Sequence, residues 1–169
     1  MYQTTLSSWA LLLAKAIDQQ GIDSGSVFKQ AGLDPAKLTD PNHRYSSIGM
    51  KKLWSLAAEL TGDSCIGLKA ASNWHPTTLH ALGFAWMASA SLDEALQRTV
   101  RYLDIVSTAT HLKMETSGDE VILEFPFNTG YVPAVEAVDA SLAVLVDMCR
   151  SSYGEGFAIK HVYLRRKAP

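Results

Sequence analysis

Residues 77–106, TTLHALGFAWMASASLDEALQRTVRYLDIV, decide the fold. The second half is the clearer. Ser91-Leu92-Asp93-Glu94 is a capping box, with Ser91 at the cap, Glu94 three residues on and Asp93 also at the positive end of a helix. Leu92, Ala95, Leu96, Val100, Leu103 and Val106 then fall on one face, and Gln97, Arg98, Arg101 and Asp104 mostly on the other. The first half predicts a helix begun by Pro76, Thr77 and Thr78, with Leu79, Leu82, Ala85, Trp86 and Met87 along it, ended by Ala88-Ser89-Ala90. Gly83 lies inside it, where glycine costs about 1 kcal/mol relative to alanine. A glycine kept there predicts close approach to another backbone or to a bound molecule.

Toward the N-terminus the pattern is helical. Ser7 or Ser8 can cap a helix over 9–19, with Trp9, Leu12, Leu13, Ala16 and Ile17 on one side and Gly21 after it. A short helix from Ser24 or Ser26 reaches Ala31 and stops at Gly32. Pro35 suits the first position of a helical step, and residues 40–43 read as a loop. Ser46 or Ser47 caps a helix over 48–61, with Leu53, Trp54, Leu56, Ala57 and Leu60 apolar. Residues 65–71 fit either a helical turn or a brief extended segment.

Toward the C-terminus the period changes to two. Thr110, Leu112 and Met114 alternate with polar neighbours, Ser117-Gly118-Asp119-Glu120 makes a turn, and Val121, Leu123, Phe125 and Phe127 alternate again. This predicts an antiparallel hairpin with one apolar face. Pro133 opens a long helix to about Ser152, with Val135, Val138, Leu142, Leu145, Val146 and Cys149 inward. Residues 157–165 alternate once more and read as a third strand. A strand so near the last residue predicts that the polypeptide continues past Pro169. The expected class is α+β: a helical subregion over 1–71, then helices packed on a small antiparallel sheet over 72–169.

Composition limits the function. The 169 residues are 47% hydrophobic and 19% charged, with net charge −2, so the average field does not draw nucleic acid. Cys65 and Cys149 are far apart and read as free thiols in a reducing compartment. No signal peptide is recognised and residues 11–14 are too short to span a bilayer, so a cytoplasmic protein without membrane contact is expected.

No catalytic constellation stands out. His43, His75, His80, His111 and His161 lack metal-ligand spacing, so no metal and no cofactor is expected. Glu136 and Asp139 lie three apart on the long helix and read as a solvated face, an acid–base pair being the sharper alternative. His80 reads as an exposed or hydrogen-bonded histidine, with ligand contact as its alternative. Trp86, Met87, Tyr102, Met114, Phe125 and Phe127 are either core or the lining of an apolar cavity between helices and sheet. A cavity beside residues 77–106 is expected, and His80, Trp86, Tyr102, Phe125 and Phe127 are its candidate ligand-binding residues.

Four segments in order resemble one family. They are AGLDPAKL (31–38), RYS (44–46) before a helix with Leu53-Trp54, TGDSCIGLKAA (61–71) and LGFAWMASASLDEALQRTVRYL (82–103). Together they resemble the N-terminal, "arabinose-binding" type of ligand-sensing domain of AraC-type transcription regulators. The resemblance implies that residues 1–169 are a ligand-sensing and dimerising domain, incomplete at its C-terminal end. It implies an unidentified small-molecule effector, a homodimer, and DNA contact only through a C-terminal domain with helix-turn-helix units outside these residues. It does not make arabinose the ligand. An enzyme of unknown type and a protein-interaction module without a small ligand are the alternatives.

Overall fold

A computed structural model describes residues 3–126 and 130–166, apart from the Glu155 side chain. It is α+β, with seven α-helices and two two-stranded antiparallel sheets among the described residues. The helices are α1 (Ser7–Gln19), α2 (Ser24–Ala31), α3 (Ser47–Thr61), α4 (Ile66–Ala71), α5 (Ala81–Met87), α6 (Leu92–Tyr102) and α7 (Val135–Tyr153). The strands are β1 (Thr4–Leu6), β2 (Arg44–Ser46), β3 (Lys113–Ser117) and β4 (Glu120–Glu124).

One core joins the two halves of the chain. Leu13, Ile17, Phe28, Leu53, Trp54, Ile66 and Leu82 are almost completely buried, and Ala140, Val144 and Met148 of α7 join them. Burying each large apolar side chain contributes about 1.5–3 kcal/mol. Gly67 lets α4 lie directly on α7, since a Cβ there would stand 2.1 Å from the Glu136 carbonyl oxygen. Residues 65–71, undecided between helix and strand, are thus drawn into a helix by that packing.

The first sheet is absent from the sequence expectation. β1 pairs with β2, Thr5 opposite Tyr45. β1 also binds the chain after α6: Leu6 N–H donates to the Val106 carbonyl at 2.9 Å and Thr108 N–H to Thr4 at 2.9 Å. Arg44 fastens the junction, its Nε donating to Thr4 Oγ1 at 2.8 Å and its Nη1 to the Ile105 carbonyl at 2.7 Å. Tyr45 Oη donates to the Asp34 carbonyl at 2.7 Å. Two of the family-like segments, 31–38 and 44–46, are therefore joined by a hydrogen bond and are architectural.

The capping box at Ser91 forms with one change. Ser91 Oγ accepts from Glu94 N–H at 3.2 Å, but Glu94 Oε2 reaches back to Ala90 N–H at 2.7 Å rather than to Ser91. Arg98 then bonds both Glu94 and the Ala85 carbonyl, tying α6 to α5.

Other expectations are corrected. Ser7 and Ser8 cap no helix: their hydroxyls donate to the Asp40 and Thr78 carbonyls at 2.6 and 2.7 Å, across the fold. Asp23, not a serine, caps α2. The helix expected from Pro76 is broken: residues Pro76–Leu79 make a 3₁₀ turn, His80 takes φ +52°, and only then does α5 begin. Gly83 explains the geometry. A Cβ there would come within 1.9 Å of the Pro76 carbonyl oxygen, so the close approach is to backbone.

The hairpin forms with Met114 opposite Leu123, yet the strands are shorter than expected and leave out Thr110, Leu112 and Phe125. Met87 is exposed, as are Val135 and most of residues 157–164. The third strand over 157–165 is not present, because its described residues meet no ladder partner. That segment runs beside the hairpin, held by an ion pair of Lys160 with Glu120 at 2.9 Å. Arg166 is joined to Asp139 of α7.

Candidate functional site

The long helix α7 carries Ala137, Val138 and Ser141 on one side, two of the three small. Small residues on a core-facing helix leave space, and opposite them the chain supplies large flat groups rather than fillers. Trp9 of α1 and Met50 and Trp54 of α3 form one wall. Leu79, Leu82, Thr99, Leu103 and Val106 form another, and Phe125, Tyr131 and Pro133 close a third side. The space between these walls is about 90 Å³ and opens to the surface on one side. The cavity expected beside residues 77–106 is there.

Its electrostatics are simple. None of the described lining residues is charged. The polar groups are hydroxyls, whose protons are mostly engaged with the protein, and the indole N–H groups of Trp9 and Trp54. Thr99 Oγ1 donates to the Ala95 carbonyl at 3.0 Å and Ser141 Oγ to the Ala137 carbonyl at 2.8 Å. Tyr131 Oη donates to the Ser47 carbonyl at 3.0 Å, and burial pushes its pKa up, so it stays a neutral phenol. Thr5 and Ser107 share one hydrogen bond at 3.1 Å. Such a site can take up an apolar body and accept or donate hydrogen bonds at a few places. It has no nucleophile–base pair.

Of the five ligand-binding candidates, Phe125 lines this cavity. Phe127 lies outside the described residues. Trp86 is buried elsewhere: its Nε1–H donates to Ser152 Oγ at 2.7 Å, and it faces a wider surface cleft with Trp74, Met87 and Tyr153. Met87 and Tyr153 are 64% and 65% exposed, so that cleft is a groove open to water. Tyr102 is on the outside, with the Arg101 guanidinium 5.6 Å from its ring centre. His80 is half-buried at the break before α5 and lines neither space. Met114 packs at the core's edge.

Trp9, Trp54, Tyr131 and Ser141 line the cavity, and none of them was a sequence-level candidate. The small residues of α7 are the one local signal that could have pointed there.

The Glu136/Asp139 pair is also corrected. Asp139 is buried, not solvated, and receives a hydrogen bond from Arg166. Burial pushes its carboxyl upward in pKa and Arg166 pulls the other way. Among the described residues no cluster of three His, Cys, Asp or Glu could hold a metal ion. No described helix is long and apolar enough to cross a membrane.

Comparison with known proteins agrees with this architecture. Residues 21–169 match the family model described as the arabinose-binding domain of AraC transcription regulators, N-terminal. The chain is 25% identical over 139 residues to the ornithine utilization regulator of Pseudomonas aeruginosa, covering 80% of this chain and 41% of that protein. It is 23% identical over 124 residues to an uncharacterized HTH-type transcriptional regulator of Mycobacterium tuberculosis, covering 73% of this chain and 36% of the relative. The matched stretch thus spans about two-fifths of the relatives' length. The chain belongs to the family of N-terminal, arabinose-binding-type domains of AraC transcription regulators.

Proposed function

We propose that this chain is the effector-sensing part of a transcription regulator and that the effector occupies the cavity between α1, α3, α6 and α7. The observation that carries the reading is where the cavity lies. Residues from both ends of the chain meet in it, and α7 supplies Ala137, Val138 and Ser141 to its wall. One residue along from Val138, Asp139 holds Arg166 of the segment that follows α7. A ligand against α7 is therefore mechanically close to the described end of the chain.

Effector binding changes a regulator only if one of two states binds it better. Here the two states differ in how α7 seats against the cavity and hence in how Arg166 is held. DNA contact belongs to a part of the regulator outside these residues. The chain's net charge of −2 agrees with that division. Self-association as a homodimer and a cytoplasmic location complete the proposal, and the exposed Phe84 and Met87 of α5 are a surface a second copy can cover. Asp139 Oδ2 is held by Arg166, and neither Glu136 nor Asp139 lines the cavity or the surface cleft, so an enzymatic reading has no support at that pair.

A thermal-shift screen of small metabolites against the 169-residue chain tests the sensing. The expected hit raises the unfolding temperature of the natural chain and loses its effect when Val138→Trp fills the cavity. Hits that stabilise both chains equally overturn the placement. A gel shift tests the rest, and sequence-dependent DNA binding by residues 1–169 alone would contradict it.

A further inference from the structure

We propose that the cavity selects a small, uncharged, largely apolar molecule with a single polar group, such as a phenol or a short alcohol, and rejects amino acids, carboxylates and sugars. This rests on the reading of the cavity as the effector site and names the chemistry of its ligand.

Charge is excluded first. The described lining holds no Asp, Glu, Lys, Arg or His. An ion placed among Trp9, Trp54, Leu82 and Val144 would lose its hydration and meet no opposite charge, which costs several kcal/mol at least. A free amino acid brings two such groups.

Polyols are excluded next. Each buried hydroxyl of a ligand needs a partner, and one left unmade costs about 1–3 kcal/mol. The protein has few partners to offer. Thr99, Ser141 and Tyr131 give their protons to the backbone carbonyls of Ala95, Ala137 and Ser47. A hydroxyl that donates in this way keeps acceptor capacity on its oxygen. Donors on the lining are the indole N–H groups of Trp9 and Trp54 and the hydroxyl of Thr110, so single hydrogen bonds of either sense are on offer, spread around an otherwise apolar wall. A ligand with one polar group is matched, whereas a ligand that presents many hydroxyls at once is not.

Size agrees. The space of about 90 Å³ is smaller than the roughly 150 Å³ apolar cavity that takes a benzene ring. A ring or a short chain fills it with slight adjustment of the flexible Met50 and Met148 side chains.

The test titrates the 169-residue chain with phenol, 1-butanol, toluene, benzoate, L-ornithine and L-arabinose, following the indole N–H NMR signals of Trp9 and Trp54. Phenol or butanol is expected to shift both signals saturably. Toluene, of phenol's shape without the donor, is expected to bind about tenfold more weakly, and the other three not at all. Ser141→Ala, a small change that keeps the fold, should weaken phenol and leave toluene unchanged. Toluene binding as tightly as phenol overturns the role of the single polar group. Benzoate, ornithine or arabinose binding better than phenol, and blocked by Val138→Trp, overturns the ligand class while keeping the site. If Val138→Trp fails to fold, Ala137→Ile serves in its place. No saturable shift with any probe, or shifts that survive cavity filling, overturns the site reading and this proposal with it.

Discussion

Arg166 donates to the carboxylate of Asp139, 27 residues earlier in the chain, and both side chains are largely withdrawn from water, at 12% and 8% exposure. The pair joins the segment after α7 to the helix that walls the cavity. Asp139 remains hard to ionise even so, because burial outweighs the pull of Arg166.

That balance gives a pH-dependent prediction. A carboxyl whose folded pKa lies above its unfolded value binds more protons when folded, so stability falls as pH rises from the ordinary carboxylate range through the raised value. Arg166→Gln removes the opposing pull and raises the folded value further. The variant should lose about 3 kcal/mol at pH 8, the side on which ionising Asp139 leaves a buried charge without its partner. The loss should shrink at pH 5 or below as the carboxyl takes up its proton. Urea midpoints at the two pH values measure this, and an equal deficit at both would show that Arg166 acts by packing alone.

Gly83→Ala is expected to be costly despite alanine's better helix propensity. The new methyl would lie 1.9 Å from the Pro76 carbonyl oxygen, and backbone there cannot swing aside. Pushing α5 off the Pro76–Leu79 turn should cost about 3 kcal/mol, outweighing the usual gain of roughly 1 kcal/mol. Chemical denaturation of the variant decides, and a stabilised protein would refute the contact.

Legibility followed sequence distance. The Ser91–Glu94 box declares its helix within four residues, and the hairpin shows its period of two over each arm. The break at His80 has no decisive local sign, because a positive φ is uncommon at any residue other than glycine. β1 and β2 are three residues each, too short for alternation to register. The burial of Asp139 depends on Arg166, and the cavity on Trp9 and Trp54 meeting α7 from far along the chain. Phe125 was found because it lies next to a patterned strand, whereas Tyr131 has no pattern around it.

His80 supplies a test in the opposite direction. It holds φ +52° and ψ −134°, a conformation that side chains disfavour and glycine accepts. His80→Gly should therefore stabilise the chain by about 1 kcal/mol, or leave it unchanged if the unfolded state's added entropy cancels the relief. Phenol binding should be unaltered, since His80 does not line the cavity. A marked loss of binding in this variant would return His80 to the site.

The two cysteines should separate by reactivity. Cys149 is buried in α7 beside the core, and desolvation pushes its thiol up to about 11. The thiolate is the reactive species, so at pH 8 Cys149 is almost entirely unreactive in the folded chain. Cys65 is only half-buried and reaches solvent at the start of α4. A chromogenic disulfide reagent should therefore label one thiol per chain under native conditions and two in denaturant, with Cys65→Ser abolishing the native reaction. Because Cys149 follows Met148, which lines the cavity, a ligand that tightens α7 should slow any residual labelling of Cys149 further. Faster labelling on ligand binding would mean that occupancy loosens α7, reversing the direction of the coupling.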